Sequence, residues 1–327
     1  KILMLRATTK FGRKGLVSFK SSNFSSSSGG RDVGFVGLGN MGFDMVRHCI
    51  QNGNRLTVYD INEDVLTEAE KLGAKIATSV KEVSTNKDVI MTILPNTQIV
   101  EEVRLGSGGI FENARKGSLI IDSSTISPQA SANMSEEGDK IGLRVVDAPV
   151  CGATPGARAG TLTFLVGSRP EYFPDCESFL PSMGKMIYHT GAPGTGQVCK
   201  ICNNLMLAIQ MIAVSEGLAL GEKSGVDPKI LEKVIGDGTS ACWAMNVYNP
   251  RPGIKENVPA ANNYEGGFAT SLMKKDLNLA NDGAALVDLD LGFVTKSIEY
   301  LSEVEKQGKG NKDFGIVYEY VNSLKRS

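Results

Sequence analysis

The sequence predicts an α/β domain with a doubly wound parallel sheet, followed by a domain made only of α-helices. Short apolar strands alternate with helical segments through residues 32–167, and the chain contains 37 glycines, which favour tight turns between strands and helices. From Gly196 onward the apolar residues keep helical spacing. We therefore expect one domain at residues 32–195 and a second at 196–327, joined by a long helix.

The composition indicates a soluble globular protein. The 327 residues are 41% hydrophobic and 22% charged, which is ample for two cores. The apolar stretch after Asn204 comes closest to a membrane span, but Gln210 and Glu216 interrupt it short of the roughly 18 residues required. We expect no membrane partner.

Residues 1–31 have the composition of an organelle transit peptide. They contain seven serines and seven basic residues but no acidic residue. The alternative interpretation is a disordered tail. Removing these seven of the 35 basic residues leaves 28 against 36 acidic ones, so nucleic acid is not an expected partner.

The six cysteines are scattered, and Cys199 and Cys202 form a CxxC pair. A zinc or redox site is the alternative interpretation of this pair. However, no second CxxC or histidine pair completes a set of ligands, because His48 and His189 are the only histidines. We expect no metal, since two thiols at this spacing on a helix are simply neighbours.

The strongest motif lies within residues 32–62. An apolar strand at residues 33–36 leads into a G-x-G-x-x-G sequence, which is followed by a helix and by a second strand at 55–59 that ends at Asp60. The motif consists of Gly37, Leu38, Gly39, Asn40, Met41 and Gly42.

This arrangement predicts a dinucleotide site. Gly37 permits a tight turn, Gly39 lets the backbone approach a pyrophosphate, and Gly42 lets the helix pack on the strand. The helix N-terminus then offers free N–H groups to the phosphates. Asp60 can accept hydrogen bonds from the adenosine ribose and would repel a 2′-phosphate, which favours NAD over NADP.

Further strands at residues 88–94, 118–122 and 144–150 extend the predicted sheet. We expect the turns that follow Leu94 and Asp122 to line the ligand cleft, because ligands bind beyond the carboxyl ends of parallel strands. The polar residues 123–125 also suit the capping of the next helix. A glycine-containing turn at residues 151–156 suits a small carboxylate.

Lys200 stands out because its neighbours in the predicted long helix are apolar, and Asn204 lies on the same face four residues later. Hydride transfer to or from an alcohol needs a proton acceptor, and neither histidine lies in a motif. A lysine pKa falls readily on burial. We hypothesise that Lys200 accepts the proton and that Asn204 binds a substrate oxygen or orients the lysine. The alternative is a solvated lysine near a helix start.

Four segments resemble the signatures of the β-hydroxyacid dehydrogenase family: GLGNMG, DAPVCGATPGARAGTLTFLVG, GTGQVCKICNN and LMKKDLNLA. The resemblance covers residues 32–320. It implies a Rossmann domain followed by a helical domain, with the active site between them. It also implies NAD as cofactor, a small 3-hydroxy acid as substrate, and a homo-oligomer in the mitochondrial matrix.

The resemblance assigns roles to single residues. Lys200 matches the catalytic lysine of the family and Asn204 its substrate-binding asparagine. The cofactor contacts outside the glycine motif fall on Leu94, Pro95, Thr125 and Lys275. The substrate anchor, Ser-Gly-Gly in the family, falls on Cys151, Gly152 and Ala153. Cys151 thus replaces a hydroxyl with a weaker donor.

Two further departures bear on substrate choice more than on the fold. Ala241 stands where an arginine is usual in the family, and Ile99 stands where an asparagine is expected.

The expected reaction is NAD-dependent oxidation of (S)-3-hydroxyisobutyrate to methylmalonate semialdehyde, a step of valine breakdown, with the substrate carboxylate on Ser123 and the 151–153 turn. One alternative is an NADPH-dependent reductase of glyoxylate or of succinic or tartronate semialdehyde, which Asp60 disfavours. The other is a non-enzymatic NAD-binding scaffold, which Lys200 disfavours.

Overall fold

The computed structural model describes residues 30–325. Residues 1–29 and 326–327 lie outside this part, and with them nearly all of the segment predicted to be a transit peptide. Within it, an α/β domain built on a nine-stranded sheet precedes a domain of helices. The predicted fold class is confirmed.

Six parallel strands form the first part of the sheet, in the order β3-β2-β1-β4-β5-β6. Their sequences are short apolar runs, as expected for strands that helices cover on both faces. These strands are β1 (Asp32–Val36), β2 (Arg55–Tyr59), β3 (Lys75–Ile76), β4 (Val89–Thr92), β5 (Leu119–Asp122) and β6 (Arg144–Asp147).

The remaining strands make the sheet mixed. They are β7 (Val150–Cys151), β8 (Leu162–Gly167) and β9 (Gly184–Gly191). Strand β8 runs antiparallel to β6 and β7 and parallel to β9. The strand predicted at 144–150 ends at Asp147 and resumes at Val150, after Pro149, which has no N–H to donate. Strand β9 was not predicted, because most of its side chains are exposed or half-buried and it lacks an apolar run.

Eight helices cover this sheet: α1 (Gly42–Gln51), α2 (Glu63–Lys71), α3 (Val80–Ser84), α4 (Thr97–Leu105), α5 (Ile110–Asn113), α6 (Pro128–Ile141), α7 (Ala153–Ala159) and α8 (Phe173–Phe179). Helix α6 is capped by Ser127, whose side chain accepts the Ala130 N–H, and has proline at its first position. The polar residues 123–125 are therefore not its cap, and they remain at the end of β5.

The second domain contains α9 (Thr195–Lys223), α10 (Pro228–Gly236), α11 (Trp243–Asn246), α12 (Thr270–Ala285), α13 (Gly292–Lys306) and α14 (Val317–Ser323). Helix α10 is capped by Asp227, whose side chain accepts the Lys229 N–H, and Pro228 follows at the first helical position. Helix α9, at 29 residues, is long and apolar enough to cross a membrane by those two measures alone. In the described chain its buried residues Met211 and Leu218 belong to the core of the second domain.

Each domain has its own hydrophobic core. The first lies against the sheet and includes Phe35, Met91 and Phe164, all fully buried. The second forms where α9, α12, α13 and α14 meet, around residues such as Leu277 and Val317. A fully buried side chain of this size contributes about 1.5–3 kcal/mol of hydrophobic stabilisation.

Asp147, at the end of β6, joins the sheet to α9. Its Oδ1 accepts the Gly194 N–H (2.7 Å) and its Oδ2 accepts the Gln197 N–H (3.0 Å), so the carboxyl group satisfies amides at the start of that helix. The side chain is buried, and burial raises its pKa to about 7. A Cβ on Gly167 or Gly196 would come within 2.5 or 2.7 Å of its oxygens, so both positions need glycine.

We predict that Asp147→Asn lowers the free energy of unfolding by about 1–3 kcal/mol at pH 5, because an amide nitrogen cannot accept a backbone N–H. The folded-state pKa lies above the ordinary pKa of aspartate, 3.8. The stabilisation by the protonated carboxyl group is therefore fully present below pH 3.8 and is lost as the pH rises through about 7. Denaturant melts at pH 5 and pH 8 should show the cost of the substitution shrinking at the higher pH.

A suitable control is Asp175→Asn on α8, which removes a surface ion pair with Arg144. It should cost less than about 1 kcal/mol at either pH. A cost of Asp147→Asn that grows with pH would contradict the prediction, since it would mean that the helix start favours the ionised form.

Candidate active site

The glycine loop between β1 and α1 is shaped for close approach of a ligand. Gly37 has φ 95°, and a Cβ there would collide with the Ile93 carbonyl, while one on Gly42 would collide with the Gly37 carbonyl. Gly39, by contrast, faces open space. Helix α1 starts here without a side-chain cap, so its first amides, apart from the Phe43 N–H, which donates to the Gly39 carbonyl (3.3 Å), are open to phosphate oxygens. These features fit a dinucleotide.

Asp60, at the end of β2, braces this loop. Its Oδ2 accepts the Leu38 N–H (2.6 Å) and its Oδ1 accepts the Asn62 N–H (2.9 Å). The side chain remains half-buried, and each carboxylate oxygen keeps a second lone pair for a ribose hydroxyl. The predicted contact with the adenosine ribose is thus geometrically open.

A cavity of about 550 Å³ lies between the two domains. It is bounded by the ends of β4, β5 and β7 on one side and by α9 and α12 on the other. Twelve of the predicted site residues line it: Asn40, Met41, Leu94, Pro95, Ser123, Thr125, Cys151, Gly152, Ala153, Lys200, Asn204 and Lys275. The other five, Gly37, Leu38, Gly39, Gly42 and Asp60, belong to the glycine loop and its brace rather than to the cavity wall.

Lys200 is half-buried in the second turn of α9 and lines the cavity. Its ammonium group forms no hydrogen bond or ion pair with any residue between 30 and 325. Near it, Asn203, Asn204 and Asp276 are bonded to one another, and Lys275 is bonded to backbone carbonyls. A basic group held in a cavity without a protein partner is free to exchange a proton with a ligand.

Asn204 is almost fully buried beside Lys200. Its Nδ2 donates to Asp276 Oδ2 (2.6 Å), and its Oδ1 accepts from Asn203 Nδ2 (3.0 Å). These contacts fix the orientation of the amide and leave one Nδ2 hydrogen for a ligand. The other oxygen of Asp276, Oδ1, lies 3.1 Å from Lys275 Nζ.

Lys275 links α12 to the first domain. Its Nζ donates to the Thr125 carbonyl (2.6 Å) and to the Pro95 carbonyl (3.1 Å). These carbonyls belong to the turns after β5 and β4, so one lysine holds both predicted cofactor-contacting turns against the helical domain.

Ser123 was expected to bind a substrate carboxylate, but its hydroxyl is already bonded within the protein. It lines the cavity, but its hydroxyl donates to the Ala148 carbonyl (2.8 Å) and is buried. A hydroxyl has one proton, so Ser123 offers no donor to a carboxylate in this conformation.

The turn after β5 rests on a buried network. Thr92 Oγ1 donates to Asp122 Oδ1 (2.8 Å) and accepts from Arg104 (3.0 Å), and the same Asp122 oxygen accepts the Ser124 N–H (3.1 Å). Arg104 and Asp122 are both buried, with their nearest charged atoms 3.9 Å apart. The polar turn is therefore supported from within the sheet.

The cysteines fall into different environments. Cys151 is half-buried in the cavity wall and is followed by two residues with positive φ, Gly152 (130°) and Ala153 (52°). Cys199 and Cys202 are exposed free thiols on α9. Within residues 30–325 no cluster of three or more histidine, cysteine or acidic side chains is suited to a metal ion.

Sequence reasoning missed part of the cavity wall. Asp276 was not predicted, although it directly follows Lys275 in the sequence. An aromatic wall was also missed; it includes Trp243, Tyr248, Phe268 and Phe314. Trp243 stacks on Tyr248 with ring centroids 4.6 Å apart. The aromatic residues are spread over 72 positions of sequence, so no local spacing predicts that they form one wall.

Comparisons with known proteins agree with this geometry. A family model described as the NAD binding domain of 6-phosphogluconate dehydrogenase matches residues 32–191. A second, described as NAD-binding of NADP-dependent 3-hydroxyisobutyrate dehydrogenase, matches residues 194–321. Together they cover the glycine loop, the cavity and both domains.

Curated relatives match most of the chain. The probable mitochondrial 3-hydroxyisobutyrate dehydrogenase of Dictyostelium discoideum is 43% identical over 95% of this chain and 97% of its own length. The mitochondrial 3-hydroxyisobutyrate dehydrogenase of Mus musculus is 42% identical over 88% of this chain and 86% of its own.

Among solved structures, that of Mycobacterium tuberculosis 3-hydroxyisobutyrate dehydrogenase with L-serine is 33% identical. It has a TM-score of 0.82 and covers 89% of this chain and 99% of its own. The identity and coverage of the curated relatives settle the family. The chain belongs to the 3-hydroxyisobutyrate dehydrogenase family of NAD-binding oxidoreductases.

Proposed function

We propose that this protein oxidises (S)-3-hydroxyisobutyrate to methylmalonate semialdehyde, with NAD as the acceptor of the hydride. The observation that carries the proposal is Lys200, a basic group without a protein partner among the described residues, in a cavity that adjoins the glycine loop. The substrate is the one in the names of the curated relatives and in the description of the second family model.

Lys200 accepts the proton of the substrate hydroxyl while the hydrogen on the same carbon leaves as hydride, so that a carbonyl group remains. Asn204 donates its free Nδ2 hydrogen to the reacting oxygen, and Asp276 keeps that amide in place. Holding donor and acceptor in fixed positions removes much of the entropic barrier to the reaction.

The substrate carboxylate binds at the turn of Cys151, Gly152 and Ala153, whose backbone N–H groups are its donors. Ser123 joins them only if its hydroxyl turns away from the Ala148 carbonyl. The carboxylate site therefore depends chiefly on backbone amides in this chain.

The cofactor supplies a hydride acceptor at its nicotinamide ring. In this proposal Gly37–Gly42 would hold its pyrophosphate and Asp60 its adenosine ribose. The nicotinamide end would be held by Leu94, Pro95, Thr125 and Lys275. A carboxylate at the ribose repels a 2′-phosphate, which selects NAD against NADP.

The proposed setting is the mitochondrial matrix, where the reaction serves valine breakdown. The relatives are named mitochondrial, and the composition of residues 1–31 is that of a transit peptide. We also propose a division into domains at residues 195 and 196, a homo-oligomeric assembly, and no nucleic acid or membrane partner.

Lys200→Ala should lower kcat at least about 100-fold, because it removes the proposed proton acceptor. The dissociation constant for NAD should stay within about twofold of that of the unchanged protein, since the pyrophosphate and ribose sites are intact. Steady-state rates followed by nicotinamide absorbance and a fluorescence titration with NAD measure the two quantities.

The matched control is Lys296→Ala, which removes an exposed lysine of α13 that pairs with Glu299. Its rates should equal those of the unchanged protein. Near-normal turnover of Lys200→Ala would remove this lysine from the mechanism.

Asp60→Ser should reduce kcat/KM with NAD and raise it with NADP, because a hydroxyl neither repels a 2′-phosphate nor accepts two ribose hydroxyls. We expect the ratio of the two values to shift by about tenfold or more. Equal use of NAD and NADP by the unchanged protein would refute the assignment of Asp60.

Cys151→Ser should lower the KM for the hydroxy acid by about two- to tenfold, because a hydroxyl donates a stronger hydrogen bond than a thiol. The KM for NAD should not change. A substrate KM that stays the same or rises would show that the Cys151 side chain does not contact the carboxylate.

A further inference from the structure

Gln197 is a buried polar residue that the proposed chemistry does not use. It lies in the first turn of α9, three residues before Lys200, and none of its side chain is exposed. Burying an amide is costly unless its donors and acceptor find partners. Its contacts therefore show which part of the structure it stabilises.

Both ends of the Gln197 side chain bond to the turn after β5. The Oε1 accepts the Ile126 N–H (3.1 Å), and the Nε2 donates to the Ser124 carbonyl (2.8 Å). These two backbone groups flank Thr125, which lines the cavity. Gln197 thus binds the first domain on both sides of Thr125, a predicted cofactor contact.

The same residue is fixed on its own side as well. Its backbone N–H donates to Asp147 at the end of β6. Gln197 and Ile201, four residues apart on the helix, are buried together, and Lys200, one turn after Gln197, borders the cavity. The orientation of this helix turn relative to the turn after β5 is therefore set by the two amide contacts.

We propose that Gln197 is a positioning residue, which fixes the distance between the turn bearing Thr125 and the turn of α9 bearing Lys200. The role rests on the proposed function of Lys200 as the proton acceptor. Lys275 holds the same segment from α12 through the Thr125 carbonyl, so Gln197 is its counterpart on α9. A displacement of about 1 Å between reacting groups lowers a rate by about 100-fold.

The first test is Gln197→Leu, which keeps the approximate size and removes both contacts. It should lower kcat at least about tenfold, with the circular dichroism spectrum of the unchanged protein retained. Ser215→Ala is the control, because it removes a buried hydrogen bond to Met211 from the same helix at a position that does not line the cavity. The control should keep the normal rate. A folded Gln197→Leu protein with kcat within twofold of normal would overturn the proposal.

The second test, Gln197→Glu, separates positioning from a general effect on folding. A protonated carboxyl group can donate to the Ser124 carbonyl and accept the Ile126 N–H, as the amide does, whereas a carboxylate would face the carbonyl with no donor. The kcat of the variant divided by that of the unchanged protein should therefore rise towards one as the pH falls from 9 to 6. The charged groups nearby, Asp147 on β6, Lys200 on α9 and Lys275 on α12, are present in both proteins, so the comparison isolates the substituted side chain. A ratio independent of pH in a folded variant would contradict the proposal.

A third measurement does not depend on the substrate. Hydrogen exchange of the peptide containing Ile126 should be faster in Gln197→Leu than in the unchanged protein and normal in Ser215→Ala. Unchanged protection at Ile126 would overturn the link between α9 and the turn. If protection is lost but the unchanged protein does not oxidise 3-hydroxy acids, the link stands and the proposed function fails.

Discussion

The contact between the Asp147 carboxyl group and the start of α9 sets the geometry on which the rest of the site depends. Strand β6 ends at this carboxyl group, and the Gly194 and Gln197 amides reach it from the helix. Because α9 carries Lys200 and Asn204, the height and rotation of both side chains follow from where this helix begins. Asp147, in the first domain, therefore positions Lys200 and Asn204, which belong to the second.

The polar side chains at the cavity differ in how fully protein partners satisfy them. Asn204, Asp276 and Lys275 contact one another or backbone carbonyls and form a polar wall, in which Asp276 Oδ1 has an ion pair with Lys275 but no hydrogen bond. Lys200 stays outside this network among residues 30–325. Beneath the wall, the buried pair of Arg104 and Asp122 leaves Arg104 Nε and Asp122 Oδ2 without hydrogen bonds. The free-energy cost of these two unpaired atoms accompanies a network that fixes the turn after β5.

Local patterns predicted the glycine loop and the long helix, since each is encoded within one continuous stretch of sequence. The twelve cavity-lining positions were reached through the motifs and the family resemblance. Three features escaped prediction. Strand β9 has no apolar run, the Ser123 hydroxyl turns to a carbonyl 25 residues away, and Gln197 bonds to groups more than 70 residues away. Contacts between distant polar groups leave no periodic signal in one sequence.

The two glycines packed on Asp147 mark positions at which the active-site region cannot be redesigned. No side chain fits at Gly167 or Gly196, so the junction of sheet and helix tolerates no variation there. The opposite wall of the cavity includes Met206, Trp243 and Leu272, which are 58%, 43% and 38% exposed. Exchanging such side chains costs little stability. A library aimed at bulkier hydroxy acids should vary this wall and leave the glycine junction untouched.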